Sequence, residues 1–215
     1  MAETSDKSVP SFLPATPEAA GEVNLIKWPD PRLRKRAMPI ETFDEPTVSV
    51  LRALAERMFE VMREEQGIGL AGPQVGISAR LFVMDGGEEL GGPMAIVNPE
   101  LSDPDGEDEA EEGCLSLPDI RTPVIRPTRL RLVARNLDGS PIDLVRDDFA
   151  TRVWQHETDH LNGVLLLDKM PESVRMGVRK QLRELEAEYA EANPKPEENA
   201  KVQRKQRAAK KRKKR

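Results

Sequence analysis

Apolar side chains recur at helical spacing over residues 45–65, where Leu51, Leu54, Ala55, Met58, Phe59 and Met62 fall on one face. Asp44 stands at the N-cap position, Pro46 fits the first turn, and Gly67-Ile68-Gly69 stops the run. Shorter β-type segments follow at 80–85, 94–98, 122–125 and 129–136, the last returning through the hairpin signal Asp138-Gly139 into 142–145. Between the early strands, residues 103–112 are acidic and read as a solvated loop. A second helix over 148–161 puts Phe149, Val153, His156 and His160 on one face, with Gly163 where a C′ glycine belongs. A third, over 173–191, carries Val174, Val178, Leu182, Leu185 and Tyr189. There is no internal repeat. Helix, several strands, helix, helix is the order of an α+β domain with antiparallel strands.

Composition sets the limits of that domain. The 215 residues hold one ordinary domain and its tails. Residues 1–22 are rich in Pro, Ser, Ala and Glu without periodicity and read as a disordered arm. Residues 193–215 turn polar and then basic, which leaves 23–192 as the folded unit. The net charge of −5 hides an asymmetry. Ten Lys and Arg and no acid lie in 201–215, so the other 200 residues carry 23 basic against 38 acidic side chains, a net −15. Such a tail is a solubilising segment or a patch for nucleic acid and other anionic surfaces. No stretch approaches the roughly 18 apolar residues of a membrane span. The first 22 residues lack a signal-peptide apolar run and hold acids without Arg. Cys114 is the only cysteine, so no intramolecular disulfide forms. A cytoplasmic monomer without membrane partners is the expectation.

The chemistry concentrates in Gln155-His156-Glu157-Thr158-Asp159-His160-Leu161, an H-E-x-x-H segment that holds both histidines of the chain. Residues four apart on a helix lie one above the other, so the two imidazoles can converge on one metal. Glu157 reaches the same region without being a ligand, as a base beside an activated water must. Catalytic metal sites of this class take three protein ligands and leave one position open. The third comes from elsewhere: an Asp, a Glu or the lone Cys114, which as a free cysteine is equally a small buried hydrophobe.

Three segments in order carry a resemblance: Gly67-Ile68-Gly69-Leu70-Ala71-Gly72-Pro73-Gln74, then Glu112-Gly113-Cys114-Leu115-Ser116, then the H-E-x-x-H run. Together they resemble the peptide deformylases, and Pro29-Asp30-Pro31-Arg32-Leu33-Arg34 resembles that family's amino-terminal segment. The likeness spans roughly 23–190. It implies antiparallel β-sheets surrounding a central metal-binding helix, with an N-terminal and a C-terminal helix. It implies hydrolytic removal of the formyl group from N-formylmethionyl nascent peptides. One divalent ion, natively Fe2+ with Zn2+, Ni2+ or Co2+ as alternatives, would be held by Cys114, His156 and His160. Glu157 would be general acid and base for the attack of a metal-activated hydroxide. The Gln74 amide and the Leu115 N–H would stabilise the oxyanion. Ile68, Gly69 and Gly113 would pair with substrate backbone as an added strand, and Ile68, Phe149 and Val153 would wall the methionine pocket. The family's C-terminal helix is associated with ribosome docking, so the basic tail is expected to touch ribosomal RNA. One departure stands in the first motif: the family pattern G-x-G-x-A-A-x-Q has alanine where this chain has Gly72.

Overall fold

A computed structural model describes residues 9–194. Its framework is a five-stranded antiparallel sheet in the order β1-β2-β3-β6-β7, with a separate two-stranded ribbon, β4-β5. The strands are β1 (Gly69–Ala71), β2 (Leu81–Met84), β3 (Met94–Asp105), β4 (Asp108–Cys114), β5 (Leu117–Arg126), β6 (Arg129–Arg135) and β7 (Pro141–Arg146). The helices are α1 (Pro17–Ala20), α2 (Glu45–Glu64), α3 (Phe149–Leu161), α4 (Leu166–Lys169), α5 (Glu172–Gly177) and α6 (Arg179–Ala192). This is the α+β architecture the sequence predicts.

Strand periodicity explains how two helices share one sheet. Successive side chains of β2 point to opposite faces. Leu81 and Val83 join α2 through Leu51, Leu54, Met58 and Met62. Phe82 and Met84 join α3 through Ala150, Val153 and Trp154. All four β2 residues are buried, as in a strand covered on both faces. A third cluster packs Leu117, Ile120 and Val124 of β5 against Leu166, Leu167 and Leu185. α3 lies against the main sheet, and its Arg152 reaches the ribbon by donating to the Val124 and Asp108 carbonyls. α2 starts at Asp44, whose side chain accepts from the Thr47 N–H at 3.1 Å. α3 ends as the pattern requires: Gly163 lies at φ +74°, and the Val164 N–H returns to the Asp159 carbonyl.

Three expectations change. The acidic stretch 103–112 is not a loop, because β3 runs to Asp105 and β4 begins at Asp108. Two of its acids stand opposite arginines, Asp105 opposite Arg129 on β6 and Asp108 opposite Arg126 on β5. Opposite charges across a ladder stabilise pairing that composition alone disfavours. The arm expected to be disordered over 1–22 is folded from residue 9. Leu13 and Ala20 are buried against α2, and Val9 and Phe12 pack beside them. Four apolar side chains suffice to dock a segment whose average composition is polar. The single helix expected over 173–191 is broken at Val178. Gly177 stands at the break, the usual place for a kink. Residues 1–8 and the basic tail at 195–215 lie outside the described residues.

Candidate metal centre

α3 is the platform of the site. Asp148 caps it by accepting the Ala150 N–H at 3.0 Å. The four-residue spacing brings the two imidazoles together edge to face, with ring centroids 5.0 Å apart and planes at 72°. Cys114 closes β4, where the ladder shifts register after Gly113. Its sulfur lies 3.2 Å from His160 Nε2. One donor atom from each of Cys114, His156 and His160 lies within 4.8 Å of the others.

The surroundings prepare these donors. His156 Nδ1 donates to Glu112 Oε2 at 3.0 Å, which fixes the tautomer and turns Nε2 inward. Glu112 is clamped in turn. Arg126 Nε donates to Oε1 at 2.5 Å and Nη2 to Oε2 at 2.8 Å, and Arg152 Nη1 reaches Oε1 at 2.8 Å. Burial alone would raise the Glu112 carboxyl, but Arg126 and His156 hold it well below the usual carboxylate range. Against burial, hydrogen bonds to Cys114 and Glu112 raise His156, whereas burial lowers His160. A thiol and two imidazoles, one of them oriented by an ionised carboxylate behind it, form a donor set that suits a divalent transition metal.

Glu157 is 3% exposed and points into the same space. Burial pushes its carboxyl up to about 7, with His156 and Arg126 opposing. Its Oε2 has no hydrogen-bond partner among the described residues. Gln74 stands in the 3-10 turn Gly72–Val75. Its Oε1 accepts the Ala71 N–H at 2.8 Å, and Nε2 lies 3.6 Å from Cys114 Sγ. A cleft of about 680 Å³ opens above the donors. Ile68, Gly69, Gln74, Gly113, Leu115, Phe149 and Val153 all line it. Val153 is buried in its floor, whereas Ile68 and Phe149 are about half exposed at its mouth. Cys114, His156 and Glu157 line the same cleft, and His160 joins Cys114 and His156 at its base.

The family profile of polypeptide deformylase matches residues 23–176. A peptide deformylase of Thermotoga petrophila is 46% identical over 157 residues, covering 73% of this chain and 92% of that protein. The chain belongs to the peptide deformylase family. Its fold agrees. The crystal structure of the Thermotoga maritima peptide deformylase superposes with a TM-score of 0.63 at 44% identity, over 69% of this chain and 97% of that one. That of Legionella pneumophila gives 0.69 at 38% identity, over 81% and 99%. Peptide deformylases are single-metal hydrolases, and Cys114, His156 and His160 fit one ion.

The family motifs do not name Arg126 and Arg152, which the structure places behind the deformylase ligands. A signal for Arg152 existed: it precedes His156 by four residues, on the same helical face. Nothing in the sequence pairs Arg126 with Glu112, since the two meet only through the β4-β5 ladder. Gly72 also finds its reason. A Cβ there would meet the carbonyls of Ala79 at 2.9 Å and Ile77 at 3.1 Å, so neighbouring backbone occupies the space of the usual alanine methyl.

Gly69 is tighter still. A Cβ at Gly69 would run into Glu157 Oε1 and approach Val153 Cγ1 at 3.0 Å. Gly69→Ala is expected to displace the Glu157 carboxylate and lower kcat about a hundredfold, since ångström-scale misplacement of a reacting group has that effect. Steady-state kinetics beside a metal assay check this. Metal content should stay at the parent level, because the atoms that a Cβ there would meet first belong to Glu157 and Val153 and not to Cys114, His156 or His160.

Proposed function

We propose that this protein removes the formyl group from N-terminal formyl-methionine of newly made chains, with one divalent ion held by Cys114, His156 and His160. The observation that carries this reading is the convergence of those three donors beside a buried, unpartnered Glu157 oxygen. We take Fe2+ as the native ion, with Zn2+, Ni2+ or Co2+ able to replace it; thiolate and imidazole ligands suit such metals. When bound, the ion supplies Lewis acidity, making water near it more acidic and a formyl carbonyl more electrophilic.

The chain's own groups do the remaining work. Glu157 takes the proton of the attacking water and delivers it to the departing amine. A carboxyl near 7 is suited to both directions of transfer at neutral pH. The Gln74 amide and the Leu115 N–H donate to the oxyanion as it develops. Among the described residues β1 is an edge strand paired with β2 alone, so a peptide can pair along its other side between Ile68-Gly69 and Gly113. Ile68, Phe149 and Val153 supply apolar surface for the methionine side chain.

The direct test is a formyl-Met peptide beside the same peptide unformylated. The proposal expects release of formate from the first and no cleavage of the second. Internal cleavage of the unformylated peptide would instead mark a general H-E-x-x-H peptidase.

We further propose that the basic segment 201–215 brings the enzyme to ribosomal RNA. Its ten cationic residues support this, with counterion release as the driving force. Ribosome cosedimentation is expected to weaken steeply as salt rises, and to weaken strongly at low salt for a chain ending near Asn193. Equal binding of both chains at low salt would defeat it.

A further inference from the structure

Ser116 closes the second motif and takes no part in the chemistry above. It is 1% exposed, and its hydroxyl donates to the Ile26 carbonyl at 2.9 Å. The same oxygen lies 3.3 Å from Gln74 Nε2. A serine hydroxyl has one proton. With that proton on Ile26, Ser116 offers Gln74 only lone pairs, so the end of the Gln74 amide facing it must be the NH2. The other end independently agrees, because Oε1 accepts the Ala71 N–H at 2.8 Å. Rotating the amide by half a turn would set oxygen against lone pairs at one end and N–H against N–H at the other. The second Nε2 proton is directed at Cys114 Sγ, a weak acceptor 3.6 Å away, and so toward the candidate metal ligands.

Ile26 is itself anchored on both sides. Its N–H donates to the Gln74 carbonyl at 2.8 Å, and the Trp28 N–H donates to the Ser116 carbonyl at 3.0 Å. The segment at 26–28 thus laces the first motif to the second and fixes the acceptor that commits the Ser116 proton.

We propose that Ser116 is a positioning residue that acts through Gln74, locking the side-chain amide so that an N–H is aimed at the oxyanion before substrate arrives. Preorganised donors lower a barrier because they need not reorient as charge develops. This inference rests on the deformylase reading above.

The test is a double-mutant cycle on the metal-loaded full chain with a formyl-Met peptide: parent, Ser116→Ala, Gln74→Ala and the double variant. Ser116→Ala is expected to lower kcat about tenfold and leave KM within about twofold, the mark of a misplaced transition-state donor. In the Gln74→Ala background the same change should alter kcat by less than about twofold. An equal loss in both backgrounds would overturn the proposal, since Ser116 would then act without Gln74. A second measurement needs no turnover and no folded variant. In the zinc-loaded parent, 15N relaxation of the Gln74 side-chain amide should give the order parameter of a rigid group, about 0.85. A value below about 0.6, the flexible range, would sink the idea even if the cycle agreed. A parent that releases no formate would defeat the functional reading, while the amide measurement would still decide the positioning.

Discussion

Replacing Glu157 by Ala is expected to lower kcat for a formyl-Met peptide about a thousandfold, in the middle of the range for a positioned acid or base. The metal should remain, because Glu157 is not among the three donors that cluster. Its burial argues the same way. A carboxylate that is 3% exposed, with one oxygen unpartnered, is costly to keep in a fold. Removing it should leave stability level or slightly higher, with KM little changed. Kinetics, metal analysis and urea unfolding on one preparation check the three parts. A variant losing metal along with activity would show that Glu157 is a ligand and not a base.

The second large effect is expected at Glu112. Its carboxylate receives Arg126, Arg152 and His156, and the carboxylate and both guanidinium groups are less than a tenth exposed. Glu112→Ala removes the buried counter-charge that Arg126 and Arg152 share and leaves each only a more exposed one, Asp159 at 2.9 Å and Asp108 at 3.5 Å, a change expected to cost about 3 kcal/mol, the lower end for a broken buried pair. It also frees the His156 ring, and the loss of such a partner weakens metal affinity about 10- to 100-fold. Urea unfolding gives the first quantity and competition with a chelator the second. Glu112→Gln keeps shape and acceptor oxygen and should lose less of both. A stability change below about 1 kcal/mol would mean that Asp159 and Asp108 alone suffice for Arg126 and Arg152.

These two residues show where the sequence is legible and where it is not. Glu157 and both histidines sit on one helix, so a local spacing rule places them together. Phe149 and Val153 follow by the same rule, and both line the cleft, although Phe149 stands at its mouth and half exposed. Cys114 is different. Only its motif, not its spacing, suggested that a residue 42 positions before His156 is a ligand. The link is made by the β4-β5 ribbon, whose pairing is non-local. Glu112, Asp159 and Gln155 all lay near the ligands in sequence, and only the fold assigns them. Glu112 holds His156, Asp159 meets Arg126, and Gln155 donates to the Pro127 carbonyl.

Elements behave likewise. α2 and α3 are amphipathic over several turns, with an acid at the N-cap of each, and lie where periodicity puts them. The β3-β4 segment reads as a loop because an acidic run carries no apolar alternation. Its partners on β5 and β6, Arg126 and Arg129 among them, are set by a ladder register that the sequence does not reveal. The docked segment ahead of Val23 was missed for a similar reason, since Leu13 and Ala20 matter only once α2 offers a groove.

The central claim is a single catalytic ion held by one thiol and two imidazoles. Its most direct test is metal analysis of anaerobically purified protein, joined to formate release before and after chelation. The account predicts about one divalent ion per chain, activity that falls with its removal and returns on reloading, and loss of both in Cys114→Ala. Undiminished formate release from metal-free protein, or full metal content in Cys114→Ala, would contradict it.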